Sequence, residues 1–167
     1  MKRRGYTLIE LVMVMVVLAI VAVVAYASIT SYQAQYLHAA AERLANDLRY
    51  AKDTALSSTI WTGANFQINP TNTYTLYQTN GTTDTTLKQP QDRNLDFTVN
   101  VAASYRGVTI TGANISGGNQ IEFDPHGAPF NDKNGAALTG EGVVTLAAGG
   151  SQLTVRVAPV TGRIYIQ

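Results

Sequence analysis

The sequence predicts an α+β fold, one long N-terminal α-helix packed on an antiparallel β-sheet domain. Three observations carry that prediction. No Gly or Pro stands between Tyr6 and Ser58, so nothing in that span breaks a helix. Apolar residues recur there at spacings of three and four, the period of one helix face. From Thr59 onward the texture changes to short β-branched and aromatic runs separated by Gly, Asn and Pro, which is the pattern of strands and turns.

The helix divides into two halves. Leu11 to Ile29 is an uncharged apolar run of 19 residues, close to the roughly 20 needed to span a bilayer. Lys2, Arg3 and Arg4 precede it and set the N-terminus on the cytoplasmic side. Beyond it, Ile29, Tyr32, Tyr36, Leu37, Ala40, Leu44, Leu48, Ala51 and Ala55 form one stripe, with Arg43, Asp47, Lys52 and Asp53 on other faces. A helix from Tyr6 to about Leu56 would be about 75 Å long. Its first half is apolar all round and its second half is amphipathic.

Strands are expected at 59–68 and 73–78, joined by Asn69-Pro70-Thr71-Asn72 as a hairpin turn. Thr79 to Asn94 reads as a polar loop. Further strands are expected at 95–101, 107–111, 120–123, 142–146, 152–158 and 163–167, with a Gly-, Asn- and Pro-containing loop between Asp124 and Gly140. Trp61 and the tyrosines read as sheet packing. Thr161-Gly162 reads as a tight turn in which Gly supplies positive φ.

Composition excludes several classes of function. Cysteine is absent, which removes disulfides and thiolate metal sites. The net charge is +1, and three of the twelve basic residues sit at the extreme N-terminus; without them nine face eleven acids, a balance of −2. That is not the charge of a general nucleic-acid binder. His38 and His126 are the only histidines, and neither stands at a spacing that suits a metal or a catalytic triad. Asp124, Asp132-Lys133-Asn134-Gly135 and Glu141 could supply oxygen ligands to calcium, yet the alternating ligand pattern is missing and turn formation alone selects such residues. No phosphate loop or nucleophile motif occurs. The chain reads as non-enzymatic, with no cofactor.

One residue does not fit a plain membrane anchor. Glu10 lies at the head of the apolar run, between Ile9 and Leu11, where a charge close to the bilayer core costs roughly 3 kcal/mol or more and is a functional hypothesis by default. A cleaved secretory signal ending at Ala25-Tyr26-Ala27 accounts for the basic start, but its apolar core would be too long and would carry an acid. The string Arg4-Gly5-Tyr6-Thr7-Leu8-Ile9-Glu10-Leu11 resembles the prepilin signal shared by type IV pilins and type II secretion pseudopilins: a short basic leader, Gly before the cut, an aromatic first mature residue and Glu as the fifth. The family more often has Phe where this chain has Tyr6. The resemblance implies a type IV pilin-like fold. It also implies that a prepilin peptidase cleaves after Gly5 and N-methylates Tyr6, and that the Glu10 carboxylate pairs with the N-terminal amine of a neighbouring subunit. The chain then divides into a leader (1–5), a transmembrane and assembly half-helix (6–29), an amphipathic half-helix (30–57) and a periplasmic β-rich domain (58–167). The family commonly carries a Gly and a Pro in the apolar half, near where this chain has Ala19 and Ala27, and their absence implies a helix less prone to melt.

The C-terminal part narrows the resemblance. Phe123-Asp124-Pro125-His126-Gly127, followed by Gly142 to Leu146 and by Val155 to Ile164 with Thr161-Gly162-Arg163, resembles the GspH/FimT group. Ala39 to Ala55 resembles that group's helix. Membership implies a minor pilin or pseudopilin that helps initiate or cap a type II secretion pseudopilus or a type IV pilus. Its partners would be prepilin peptidase, other pilins and an inner-membrane assembly platform. Some FimT-type relatives bind DNA for natural transformation, and they carry a second basic residue just past the terminal Gly-Arg. Here Ile164 and Tyr165 follow Arg163, so a DNA-binding role would rest on Arg163 and Arg156, with Arg106 nearby.

Overall fold

The computed structural model describes residues 7–132 and 134–167, with the side chains of 24–31 left aside. The expected leader, Gly5 and Tyr6 lie outside the described residues, as do Lys133 and the side chains of Ala25, Tyr26, Ala27 and Ile29. Helix α1 runs unbroken over Leu8–Ser58, close to the expected span. It starts at Thr7, which adopts extended backbone as N-cap, and it ends at Thr59, which closes the helix in the left-handed region with φ 58°.

The outer half of α1 is amphipathic because Leu37, Ala40, Ala41, Leu44, Ala45, Leu48, Ala51 and Ala55 share one face, and all eight are buried. Each buried leucine contributes about 1.5–3 kcal/mol of transfer free energy. The alanines let the strands approach the helix axis. Two members of the expected stripe do not join it. Tyr32 is 61% and Tyr36 is 42% exposed, because the globular core begins only at Leu37.

The β domain consists of two antiparallel sheets, where the sequence pointed only to one sheet region. The first contains β1 (Trp61–Gln67), β2 (Thr73–Thr79), β3 (Asp84–Thr86), β4 (Thr98–Asn100), β6 (Gln120–Phe123) and β7 (Pro129–Phe130). Its order is β3-β2-β1-β6-β7, with β4 also paired to β2. The second runs β10-β9-β8-β5, from β5 (Thr109–Asn114), β8 (Gly142–Ala148), β9 (Ser151–Val157) and β10 (Ile164–Ile166). Strands of both sheets pack on α1, and Phe66, Tyr74, Ile121, Phe123, Ile110, Leu146 and Val155 face a common core.

Several local expectations are corrected. The polar segment after Thr79 is not all loop, because β3 pairs Asp84–Thr86 with Tyr77–Thr79. The strand expected at 95–101 shrinks to β4, since Asn100 caps a one-turn helix, α2 (Val101–Ser104), by accepting from Ala103 N–H at 2.9 Å. The loop after Asp124 contains β7, which pairs with β6. The Asn69–Asn72 turn does join β1 to β2, as expected. It also ties the two sheets together. Buried Asn72 donates from Nδ2 to Pro70 O at 3.0 Å, and its Oδ1 accepts the Ile110 N–H of β5 at 3.0 Å.

Candidate functional site

Three regions of the molecule carry the residues that the sequence singled out. At the N-terminal end, Thr7-Leu8-Ile9-Glu10 forms a capping box. Thr7 Oγ1 accepts the Glu10 N–H at 3.3 Å, and Glu10 Oε2 accepts the Thr7 N–H at 3.4 Å. The T-x-x-E spacing is a plain capping signal that the functional reading of Glu10 passed over. Behind it, the helix buries nothing from Leu8 to Val23, with Leu8 84% and Val23 70% exposed. An apolar surface of that length with no intramolecular cover is an interaction surface. Among the described residues, no helix is long and apolar enough to cross a membrane; the described side chains of the apolar run stop at Val23.

At the opposite end of α1, the two C-terminal motifs close on the helix. Asp124 Oδ1 accepts the N–H groups of His126 (2.9 Å) and Ala128 (2.7 Å), which fixes the Phe123–Gly127 turn. Gly127 packs so closely on α1 that a Cβ there would stand 2.8 Å from Lys52 Cε. Gly162, at φ 59°, abuts the Gly127 carbonyl. Lys52 Nζ donates to Thr161 O at 2.8 Å, and Arg49 donates to Ile164 O at 3.1 Å. The two motifs therefore form a clamp that fixes the sheet ends to α1. They position the domain.

Beside the clamp, on β9 and β10, lies the basic pair of the DNA-binding alternative. Arg156 is tied to Glu141 at 2.8 Å, and Tyr165 O–H donates to the same carboxylate. These two hydrogen bonds, that of Tyr165 first and that of Arg156 second, hold the Glu141 carboxyl below its ordinary value. Arg163 is exposed and lies over the Tyr165 ring, 5.3 Å from its centroid. Arg106 does not join them. It precedes β5, and β5 and β10 are the opposite edges of the second sheet. Register places Thr109 beside Ala147 and Val157 beside Gly142 and Ile164, so Arg106 and Arg163 occupy opposite corners.

The acids proposed for calcium are put to other uses. Asp132 accepts from Asn134 N–H at 2.7 Å and from Gln120 at 3.4 Å, while Asp124 holds its own turn and Glu141 holds Arg156. Among the described residues no cluster of three or more His, Asp or Glu could hold a metal ion. His38 pairs with Glu42 on the helix surface at 3.2 Å, and His126 lies in the solvent-facing turn beside Asp124. Trp61 packs edge-on against Phe130, with ring centroids 4.8 Å apart.

Two polar pairs of the core were not singled out from the sequence. Tyr77 O–H donates to the buried Glu122 at 2.6 Å. Tyr74 O–H donates to Asp47 at 2.5 Å, and Arg43 lies 3.6 Å from the same carboxylate. Burial raises the Tyr74 and Tyr77 hydroxyls far above the ordinary tyrosine value, so both remain donors. These pairs join helix to strand and strand to strand; Arg43 and Asp47 also line a groove of about 510 Å³ with Glu42, Gln89 and Tyr105.

A helix with an uncovered apolar half, clamped by its other half to antiparallel sheets, defines the class of pilin-like subunits. Comparison with known proteins agrees. Residues 1–26 match the prokaryotic N-terminal methylation motif, and residues 40–161 match the family of type II transport protein GspH. No curated protein sequence gives a significant match. Among solved structures, the type IV minor pilin FimU of Pseudomonas aeruginosa aligns with a TM-score of 0.54 at 14% identity, over 81% of this chain and 90% of that one. The minor pseudopilin EpsH of the Vibrio cholerae type II secretion system aligns with a TM-score of 0.56 at 11% identity, over 79% and 93%. At those identities the likeness shows the shared fold. The family match covers most of the chain, and the protein belongs to the GspH family of minor pseudopilins and pilins.

Proposed function

We propose that this chain is a structural subunit that is stored in the inner membrane by its apolar half-helix and then enters a type II secretion pseudopilus or type IV pilus, which it helps to initiate or cap. The N-terminus would lie in the cytoplasm and the β domain in the periplasm. A prepilin peptidase would cleave after Gly5 and methylate the Tyr6 amine. The observation that carries the reading is the fully uncovered apolar surface from Leu8 to Val23, continuous with a helix whose outer half is locked into the domain. Inside the filament, neighbouring helices would cover that surface, and Glu10 would receive the amine of an adjacent subunit. Such pairing acts as register and recognition more than as net stability.

The capping box gives Glu10 a second task, and substitution separates the two. Glu10→Gln can keep the box, because Gln accepts the Thr7 N–H as Glu does, but it removes the charge. Thr7→Ala breaks the box and keeps the carboxylate. We expect Glu10→Gln and Glu10→Leu to be cleaved normally yet enter filaments at least about tenfold less, while Thr7→Ala assembles close to wild type. Immunoblots of processed chain against sheared filaments measure both steps. Normal assembly of Glu10→Gln would sink the pairing role. The DNA-binding alternative draws no support from the corner that was to carry it, since Arg156 is held by Glu141. Salt-sensitive DNA binding by the β domain would revive it.

A further inference from the structure

A groove of about 500 Å³ opens where α1 leaves the apolar run, lined by Tyr32, Gln33, Tyr36, Arg106 and Gly107. Its polar groups are the Tyr32 and Tyr36 hydroxyls, the Gln33 amide and the Arg106 guanidinium. Among the described residues, no carboxylate lies within ion-pair distance of Arg106, and the two tyrosine hydroxyls have no hydrogen-bond partner. The groove belongs to the membrane-side rim of the domain. Gln33 also packs against Gly149 in the β8–β9 turn, so the rim closes around this level of the helix.

Height along the helix identifies what the groove would meet. Ile29 ends the apolar run, so at 1.5 Å per residue Tyr32 lies about 4.5 Å and Tyr36 about 10 Å beyond it. The polar headgroup layer extends roughly 5–8 Å past the hydrocarbon. Helical side chains lean toward the N-terminus, which brings both rings back toward that layer. Tyrosine is enriched at this depth for its apolar body and polar tip, and a guanidinium fork matches phosphate oxygens. We propose that, before assembly, this groove holds the headgroup of an anionic phospholipid, with Arg106 and the two hydroxyls donating to its phosphate.

A second copy of the chain is the weaker occupant. From Tyr6 to Tyr36 the sequence contains a single carboxylate, Glu10, and that one is assigned to the amine. The site rests on the membrane reading given above, and the test keeps the two apart. Full-length chain is floated with vesicles of phosphatidylcholine, with and without phosphatidylglycerol. Its retained lipids are then counted by native mass spectrometry from mixed micelles. Wild type should float with both vesicles and retain phosphatidylglycerol over phosphatidylcholine roughly fivefold, the order that one Arg provides near an anionic surface. Arg106→Gln should still float and lose most of the preference, and Tyr32→Phe with Tyr36→Phe should still float and lose a smaller part of it. All variants keep Lys2, Arg3 and Arg4, so the leader cannot account for a difference. Failure to float would overturn the membrane reading and the site with it. Floating with an unchanged preference in Arg106→Gln would overturn the lipid site alone. So would a variant whose only defect is in pairing with other subunits, which would assign the groove to a neighbouring chain.

Discussion

Gly162 shows how a sequence motif becomes a mechanical part. Its φ of 59° disfavours any side chain, and an added Cβ would stand 2.5 Å from the Gly127 carbonyl and 3.4 Å from both Lys52 Nζ and the Phe123 ring. The carbonyl is backbone and cannot swing aside. Gly162→Ala should therefore cost about 2 kcal/mol or more, combining strained backbone with overpacking. It is read as a lower urea midpoint at unchanged slope, and a loss under about 0.5 kcal/mol would mean that the clamp is slack. Asp47 behaves in the opposite way. Burial raises its carboxyl above the ordinary 3.8, and this outweighs the Tyr74 hydrogen bond and Arg43, which favour the charge. A carboxyl raised by folding contributes stability that is fully present below its unfolded value and is lost as pH rises through the folded value. Ionised Asp47 therefore weakens the fold near neutrality. Asp47→Asn leaves an acceptor for Tyr74 and should melt about 2 °C above wild type at pH 7, the gap closing below pH 3.8. A lower melting point for Asp47→Asn at pH 7 would show that Arg43 outweighs burial.

At the scale of elements, the helix was legible because its period is local: Leu37, Leu44, Leu48, Ala51 and Ala55 name the buried face without knowledge of the partner. That same period extended the face too far, to Tyr32 and Tyr36. Periodicity tells which side of a helix is apolar and cannot tell where the covering domain begins. The short strands were missed for a related reason. Asp84–Thr86 and Pro129–Phe130 have no alternation of their own and exist because β2 and β6 offer edges to pair with. The division into two sheets was equally hidden, since alternation marks a buried face without saying which sheet it belongs to. Asn72 sits on that division. Its turn chemistry was readable, but its partner Ile110 is 38 residues away in sequence. Asn72→Ala would leave the buried Ile110 N–H unpaired at a cost of about 1–3 kcal/mol. The Ile110 amide proton should then exchange faster, because the join between the sheets is weakened there. Hydrogen exchange at β5 reads this directly, and unchanged protection of Ile110 would remove Asn72 from the role.

At the scale of the whole molecule, the candidate site and the fold occupy different stretches of one helix. Glu10 was conspicuous because a carboxylate beside an apolar run has few explanations, and the GspH-like motifs were legible as a pattern though not as a clamp. The physics of the separation leads to a last expectation. The core begins at Leu37, and everything described between Leu8 and Val23 is exposed, so the apolar half contributes no packing to the domain. Its removal should cost the fold only helix length, and the cut can be placed where the sequence supplies a cap: Ser31 is a favourable N-cap residue ahead of Tyr32. A chain that starts at Ser31 should be monomeric in sedimentation without detergent and should unfold in one cooperative transition followed by circular dichroism. The full chain should require lipid or detergent, because an exposed apolar surface of this extent associates in water. A Ser31 fragment that fails to fold would mean that the uncovered half-helix supports the domain through the helix itself. Fold and assembly would then be coupled along α1 and could not be divided at Leu37.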